Sequence, residues 1–118
     1  MRPALACVLA LGLLGGCAVT PAGGGFTAGQ QVAFDGRVAS VDTAPWAYDG
    51  NAVVVVRSDA GRDIRVQLPA RWNLCKAPSV DAQALKAGDR VHVVASAGEP
   101  DSVTVCERAE HRLVRTGA

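Results

Sequence analysis

The chain has 118 residues, with 12 Lys or Arg and 11 Asp or Glu, so its formal net charge at pH 7 is only +1. A nucleic-acid-binding protein would show a strong basic excess, and a protein that binds anionic membranes electrostatically would carry a lysine-rich cluster. The composition excludes both classes, and the length suits one small domain.

The first residues predict a secretory signal peptide, residues 1–16. Met1 and Arg2 precede the apolar segment PALACVLALGLLGG, which ends in small residues. This segment is shorter than the roughly 20 apolar residues of a membrane-spanning helix, and no basic cluster follows it. An uncleaved helical anchor and an ordinary signal peptide are the two alternatives.

The residues Leu14, Gly15, Gly16 and Cys17 resemble the lipobox of bacterial lipoproteins. The resemblance implies that diacylglycerol alkylates the thiol of Cys17, that a peptidase cleaves between Gly16 and Cys17, and that the new amine is then acylated. Ala18, in place of aspartate, resembles the residue that directs such proteins to the outer membrane. Acyl chains would then hold the domain on a bilayer, facing the periplasm.

Residues 17–30 are predicted to form a tether between this anchor and a folded domain, residues 31–118. The tether sequence is rich in glycine, and Gly-rich chains behave as flexible coils. Five short strands separated by turn signals predict an all-β domain, either a barrel or a sandwich. The predicted strands are 31–42, 51–58, 62–69, 90–95 and 102–115.

Two of these strands carry a clear pattern. In the first, the alternation of apolar residues breaks, which predicts a bulge or bend near Gly36 or Ala39. In the third, Ile64, Val66 and Leu68 alternate with polar residues and are expected to face the core.

One segment departs from the strand pattern and predicts a short helix of one to two turns. Within KAPSVDAQALKAGD, Ser79 is a plausible N-cap and Gly88 can end the helix. The order of three strands, a short helix and two strands resembles the OB-fold, a five-stranded Greek-key barrel with a bent first strand. The resemblance implies an OB-fold-like barrel, with an SH3-like barrel or a small β-sandwich as the alternatives.

Cys75 and Cys106 are the two cysteines that follow Cys17. In an oxidising compartment an isolated pair is most simply a disulfide, and a small domain often needs such a covalent link. Two buried free thiols, or a metal or redox site, are the competing interpretations. In an OB-fold, a Cys75–Cys106 bridge would pin the helix region against the sheet.

Four residues are the candidate ligand contacts. Trp46 and Tyr48 lie in the connection between strands one and two, which borders the ligand-binding face of an OB-fold. There they could stack on a sugar, a base or a partner's side chain, or Trp46 could fold back over the barrel as a lid. Arg65 and Arg90 are the candidates for a sheet face that takes a small anion.

The sequence predicts no catalytic, metal or cofactor site. His92 and His111 are too few to form a metal site without unidentified carboxylates, and no nucleophile–base motif is present. We therefore expect a non-enzymatic, lipid-anchored binding or assembly module of the cell envelope, whose partner is a protein, peptide or glycan. A small-anion sensor or accessory subunit is the second hypothesis, and a hydrolase is the third.

Overall fold

The computed structural model describes residues 25–118, so the predicted signal peptide, Cys17 and residues 18–24 of the predicted tether lie outside the described residues. The described chain forms six β-strands and three short 3₁₀ turns. The strands are β1 (Gln31–Asp42), β2 (Ala52–Ser58), β3 (Asp63–Leu68), β4 (Arg90–Glu99), β5 (Ser102–Thr104) and β6 (Arg112–Gly117), and the turns are Ala44–Tyr48, Trp72–Leu74 and Ala82–Ala84.

The strands close into a barrel in the order β1-β2-β3-β5-β4, because β4 also pairs with β1. β3 and β5 run parallel, and the other strand pairs are antiparallel. β6 adds a further strand beside β4. The predicted OB-fold-like barrel is therefore confirmed, and its closure and its parallel pair exclude the sandwich and the SH3-like alternatives.

The barrel interior is filled mainly by β-branched side chains, which suit a pleated sheet surface. The predicted alternation of β3 is confirmed, since Ile64, Val66 and Leu68 are buried while Arg65 is exposed. β2 shows the same alternation, with its inward valines fully buried and its outward valines half-buried.

The predicted bend in β1 is confirmed. The first half of this strand pairs with β4 and the second half with β2, and the register with β2 shifts between Val38 and Ser40. At Gly36 a Cβ atom would lie only 2.3 Å from the carbonyl oxygen of Arg57. Glycine is therefore required there, because the backbone of β2 crosses too close for any side chain.

The predicted fifth strand is two strands, β5 and β6, on the same side of β4. Thr104 lies opposite Ser96 and Arg112 lies opposite Val94, so the seven residues 105–111 take the place of a single strand residue. We call residues 105–111 the excursion. It departs from the predicted strand because backbone N–H groups of Cys106 and Arg108 donate to the buried side chain of His111 instead of pairing with the backbone of β4.

The helix predicted between β3 and β4 forms only one 3₁₀ turn, Ala82–Ala84. The turn begins after Asp81 rather than Ser79, and no side chain caps it. A first helical turn is costly to nucleate, and Val80 is already buried without one. Gly88, expected to end the helix, has a φ of +95°, which glycine adopts readily. Within residues 25–118, no helix has the length and apolar character needed to cross a membrane.

Residues 25–30, the only described part of the predicted tether, contact the barrel. The backbone N–H of Phe26 donates a hydrogen bond to the carbonyl oxygen of Pro100, with an N–O distance of 2.9 Å. The N–H of Gly29 donates to the carbonyl oxygen of Ala97 at 2.7 Å. We call Gly25–Gln30 the clamp, because these bonds hold it against the end of β4 and the turn that follows it.

Candidate functional site

The 3₁₀ turn Ala44–Tyr48 follows β1 and covers one end of the barrel. The indole N–H of Trp46 donates a hydrogen bond to the carbonyl oxygen of Leu68, at the end of β3, with an N–O distance of 2.9 Å. The Trp46 ring is half-buried and packs against the core. Trp46 therefore lies over the barrel as a lid, and the turn that carries it is fixed to β3.

A second 3₁₀ turn, Trp72–Leu74, packs against the first. The rings of Trp46 and Trp72 meet edge to face, with centroids 5.9 Å apart and planes at 78°. Arg71 and Asp49 form an ion pair at 3.2 Å across the same junction. We call Ala44–Asp49 together with Arg71–Leu74 the cap. Each tryptophan holds the other in place, because edge-to-face pairs add to the free energy gained by burial.

The cap exposes two large apolar side chains. Tyr48 is 74% exposed and Leu74 is 68% exposed. In residues 25–118 the next most exposed large hydrophobic residue is Val114 in β6, at 41%. The cap thus half-buries its two tryptophans and presents its tyrosine and leucine to solvent.

The outer surface of β2 and β3 adjoins the cap. We call the side chains of Val53, Val55, Arg65 and Gln67 the β2–β3 face. Val53 lies opposite Gln67 and Val55 opposite Arg65, so the four form two adjacent rows. The guanidinium of Arg65 is exposed and has no ion-pair or hydrogen-bond partner among residues 25–118.

Arg90 lies elsewhere on the barrel. It forms two hydrogen bonds to the carboxylate of Asp59, in the turn between β2 and β3, at 2.9 and 3.2 Å. The pKa of Asp59 is lower than its usual value, chiefly because of these hydrogen bonds from Arg90. Arg90 stands opposite Arg37, which stands opposite Arg57. The structure therefore places Trp46 and Tyr48 in the cap beside the end of β3, places Arg65 within β3, and leaves Arg90 in a separate charged row.

Leu74 is the one candidate contact in the cap that no sequence pattern predicted. Trp72, two residues earlier, packs against the core, and nothing in the local sequence pattern distinguishes an exposed leucine from a buried one. One feature of the sequence was consistent with an exposed Leu74. It lies just before Cys75, in a segment without the alternation of a strand.

The disulfide expected from the sequence is present between Cys75 and Cys106. Cys75 directly follows the cap, and Cys106 belongs to the excursion. The carbonyl oxygen of Cys106 also accepts hydrogen bonds from the backbone N–H groups of Lys76 and Ala77, at 2.9 and 3.1 Å. The bridge therefore joins the cap covalently to the excursion.

His111, at the end of the excursion, is fully buried. Its Nδ1 accepts hydrogen bonds from the backbone N–H groups of Cys106 and Arg108, at 3.3 and 3.4 Å. The proton of the neutral ring consequently sits on Nε2, which faces the hydroxyl of Ser96 at 3.4 Å. A protonated Nε2 cannot take a proton from Ser96, so this pair is structural and is not a nucleophile with its base.

Burial lowers the pKa of His111 below its usual value, although Glu110 and Glu107 oppose this shift. His92 lies on the outside of β4, and its Nδ1 lies 2.8 Å from Oδ1 of Asp35. Within the described part of the chain, no group of three or more His, Cys, Asp or Glu residues is placed to hold a metal ion.

Comparison of the chain with protein-family models, with curated proteins and with solved structures gave no match.

Proposed function

We propose that this protein is a lipid-anchored binding module of the bacterial cell envelope, which uses the cap and the adjoining β2–β3 face to hold a protein or peptide partner. Cys17 is the proposed anchor, and the outer membrane, facing the periplasm, is the proposed location. The module holds its partner and performs no chemistry on it.

The observation that carries this proposal is the exposure of Tyr48 and Leu74 on a fixed support. Water solvates a large apolar side chain poorly, and clustered exposed apolar residues commonly mark a protein-binding surface. Tyrosine is also enriched at protein interfaces, because its apolar ring and polar hydroxyl suit a partly hydrated contact. The packing of Trp46 on Trp72 fixes the turns before binding, which reduces the entropy lost on association.

The cap favours a protein or peptide over a glycan. Sugars are held chiefly by the flat faces of exposed aromatic rings, and the rings of Trp46 and Trp72 are engaged with each other and with the core. Tyr48 alone offers an exposed ring, while Leu74 offers an aliphatic contact that suits an apolar side chain of a partner.

The lipobox resemblance of Leu14, Gly15, Gly16 and Cys17 supports the anchor. Intact mass spectrometry of the membrane-associated protein tests it directly. We expect a chain that begins at Cys17 and carries acyl chains. A chain that retains its leader, or is cleaved at another bond, would overturn the anchor.

The binding surface is tested by affinity purification from detergent-solubilised envelopes. The variant Tyr48→Ser/Leu74→Ser should lose partners that the unmodified protein retains. Val114→Ser is the matched control, because it removes an exposed apolar side chain from β6, outside the cap. Equal recovery of every partner by the double variant and the control would refute the cap as the binding surface.

A small anion is the second candidate ligand, and the guanidinium of Arg65 on the β2–β3 face, which has no partner among residues 25–118, favours it. An anion bound there would raise the melting temperature, and added salt would cancel the effect by screening. Arg65→Gln should abolish that shift, whereas Arg108→Gln, in the excursion, should preserve it. Phosphate and citrate are suitable probes, and no shift with either would remove this candidate.

A further inference from the structure

The excursion is fastened to the barrel by few buried groups. Val105 and His111, its first and last residues, are buried, whereas residues 107–110 between them are exposed. The Nδ1 atom of His111 holds the backbone between these ends, because it accepts the N–H groups of Cys106 and Arg108. A segment with few buried contacts can open without unfolding of the whole domain. Release of His111 would therefore free the excursion locally.

A continuous chain of contacts leads from His111 to the tryptophans of the cap. The backbone N–H of Cys106 donates to Nδ1 of His111, and the side chain of Cys106 is bonded to that of Cys75. The backbone N–H of Cys75 donates in turn to the carbonyl oxygen of Trp72, with an N–O distance of 2.9 Å. Trp72 packs edge to face on Trp46. Displacement of the excursion would therefore disturb the packing of the two rings.

A proton on His111 is incompatible with the closed excursion. The neutral ring accepts two hydrogen bonds at Nδ1, but a charged ring carries a proton on both nitrogens, so Nδ1 would face two N–H donors. The ring is also fully buried, where a charge without a partner is costly. The charged ring consequently favours an open excursion, in which water solvates it.

Among residues 25–118, the charged side chains that act on the ring belong to the excursion itself. They are Glu107, Arg108 and Glu110. Burial lowers the pKa of His111 most, Arg108 lowers it further, and the two glutamates oppose this shift. β4 contributes the hydroxyl of Ser96, and Lys76 faces a shallow surface depression that the same three charged side chains line. The closed excursion is thus fully favoured above the ordinary histidine pKa of about 6.5, and it loses this advantage as pH falls through the lower folded value.

From these contacts we propose that the excursion is a pH-sensitive latch for the cap: a proton on His111 opens the excursion, and the Cys75–Cys106 bridge transmits the opening to the cap. The hydrogen bonds from the N–H groups of Lys76 and Ala77 to the carbonyl oxygen of Cys106 open with it. Resting on the proposed function, the cap then holds its partner near neutral pH and releases it in acid.

The chain contains its own reporters for this latch, because both of its tryptophans, Trp46 and Trp72, lie in the cap. The experiment uses the full-length protein in detergent micelles between pH 7 and 5, with acrylamide, an uncharged quencher, as the probe of ring exposure. Far-UV circular dichroism of the same samples reports whether the barrel stays folded. We expect the quenching constant to rise about twofold below pH 6.5 with an unchanged strand signal, since local opening exposes half-buried rings.

Three variants separate the steps of the latch. Cys75→Ala/Cys106→Ala should make the quenching independent of pH, because the link to the cap is cut. Glu110→Gln, at an exposed position, should move the midpoint to lower pH, because the carboxylate of Glu110 favours the charged ring. His92→Asn, on the outside of β4, is the matched control and should keep the midpoint of the unmodified protein.

Constant quenching down to pH 5, or a rise that coincides with loss of the strand signal, would overturn the latch. An unshifted midpoint in Glu110→Gln, or a pH response that survives removal of the bridge, would do the same. The unmodified protein and Glu110→Gln keep the core intact, so instability of the cysteine variant would not obscure the answer. The measurement needs no partner, so its failure would leave the proposed binding function standing.

Discussion

The cap and the excursion are the two irregular segments of this barrel that the disulfide joins, and they are stabilised in opposite ways. The cap is held by packing of Trp46 on Trp72, and it exposes apolar side chains. The excursion is held by Cys106 and the buried His111, and most of its remaining side chains are charged or exposed. Water solvates the surface of the excursion well and that of the cap poorly. This contrast is the reason why we propose the cap, and not the excursion, as the binding surface.

The largest effect on stability is expected from removing the disulfide that links the two segments. Cys75 and Cys106 are 31 residues apart, and closing a loop of that length stabilises a fold by about 3 to 4 kcal/mol in the chain-entropy model. Urea unfolding of the oxidised protein and of Cys75→Ala/Cys106→Ala measures this difference.

Hydrogen exchange on the same variant would sharpen the comparison of the two segments. Amides of both the cap and the excursion should lose protection, because the bridge ties Cys75, next to the cap, to Cys106. If only the excursion loosened, the aromatic packing of the cap would be sufficient without the bridge.

The second effect concerns the cap alone. Trp46→Ala should lower the free energy of unfolding by about 2 to 3 kcal/mol, somewhat less than for a fully buried tryptophan, because the ring is half-buried. The variant also leaves the carbonyl oxygen of Leu68 without its indole donor. Chemical denaturation measures the loss, and Trp46→Phe separates ring packing from the hydrogen bond. An unchanged stability would mean that the tryptophan does not hold the cap.

The third effect concerns the excursion and depends on pH. Burial lowers the pKa of His111 in the folded protein, so the unfolded chain binds more protons around this pKa. The stabilisation from neutral His111 is complete above the ordinary histidine pKa of about 6.5, and it is lost as pH falls through the folded value. A proton on Nδ1 would also face two backbone N–H donors.

Unfolding free energies between pH 7 and 5 test this expectation. The unmodified protein should lose stability across this range, and His111→Asn, whose side-chain oxygen can accept the same bonds, should lose less. His92→Asn is the matched control on the barrel exterior. If both variants kept the slope of the unmodified protein, another group would be responsible for it.

The features of this structure that depend on local sequence pattern could be predicted from the sequence. The broken alternation around Gly36 indicated the bend of β1, and the alternation of Ile64, Val66 and Leu68 indicated which face of β3 is buried. The order of strands was sufficient for the OB-fold-like barrel. Each of these features follows from periodicity within one segment or from the order of segments.

The remaining features depend on contacts between distant residues. Trp46 and Trp72 are far apart in the sequence, and their contact helps to decide which side chains of the cap are exposed. The interruption of the last strand likewise depends on His111 turning back to bond with Cys106. The prediction of a helix before β4 was wrong, because Val80 is buried without helical geometry. No local pattern encodes these choices.

The smallest effect on stability is the most informative about the cap. Tyr48→Ser/Leu74→Ser should change the free energy of unfolding by less than about 0.5 kcal/mol, because substitutions at exposed positions seldom do more. Urea denaturation beside Trp46→Ala measures both variants on one scale. A large loss for the double variant would mean that these side chains pack within the cap, and their exposure would then give no reason for a partner. A small loss of unfolding free energy together with a loss of partner binding would show that Tyr48 and Leu74 bind the partner, whereas Trp46 stabilises the cap.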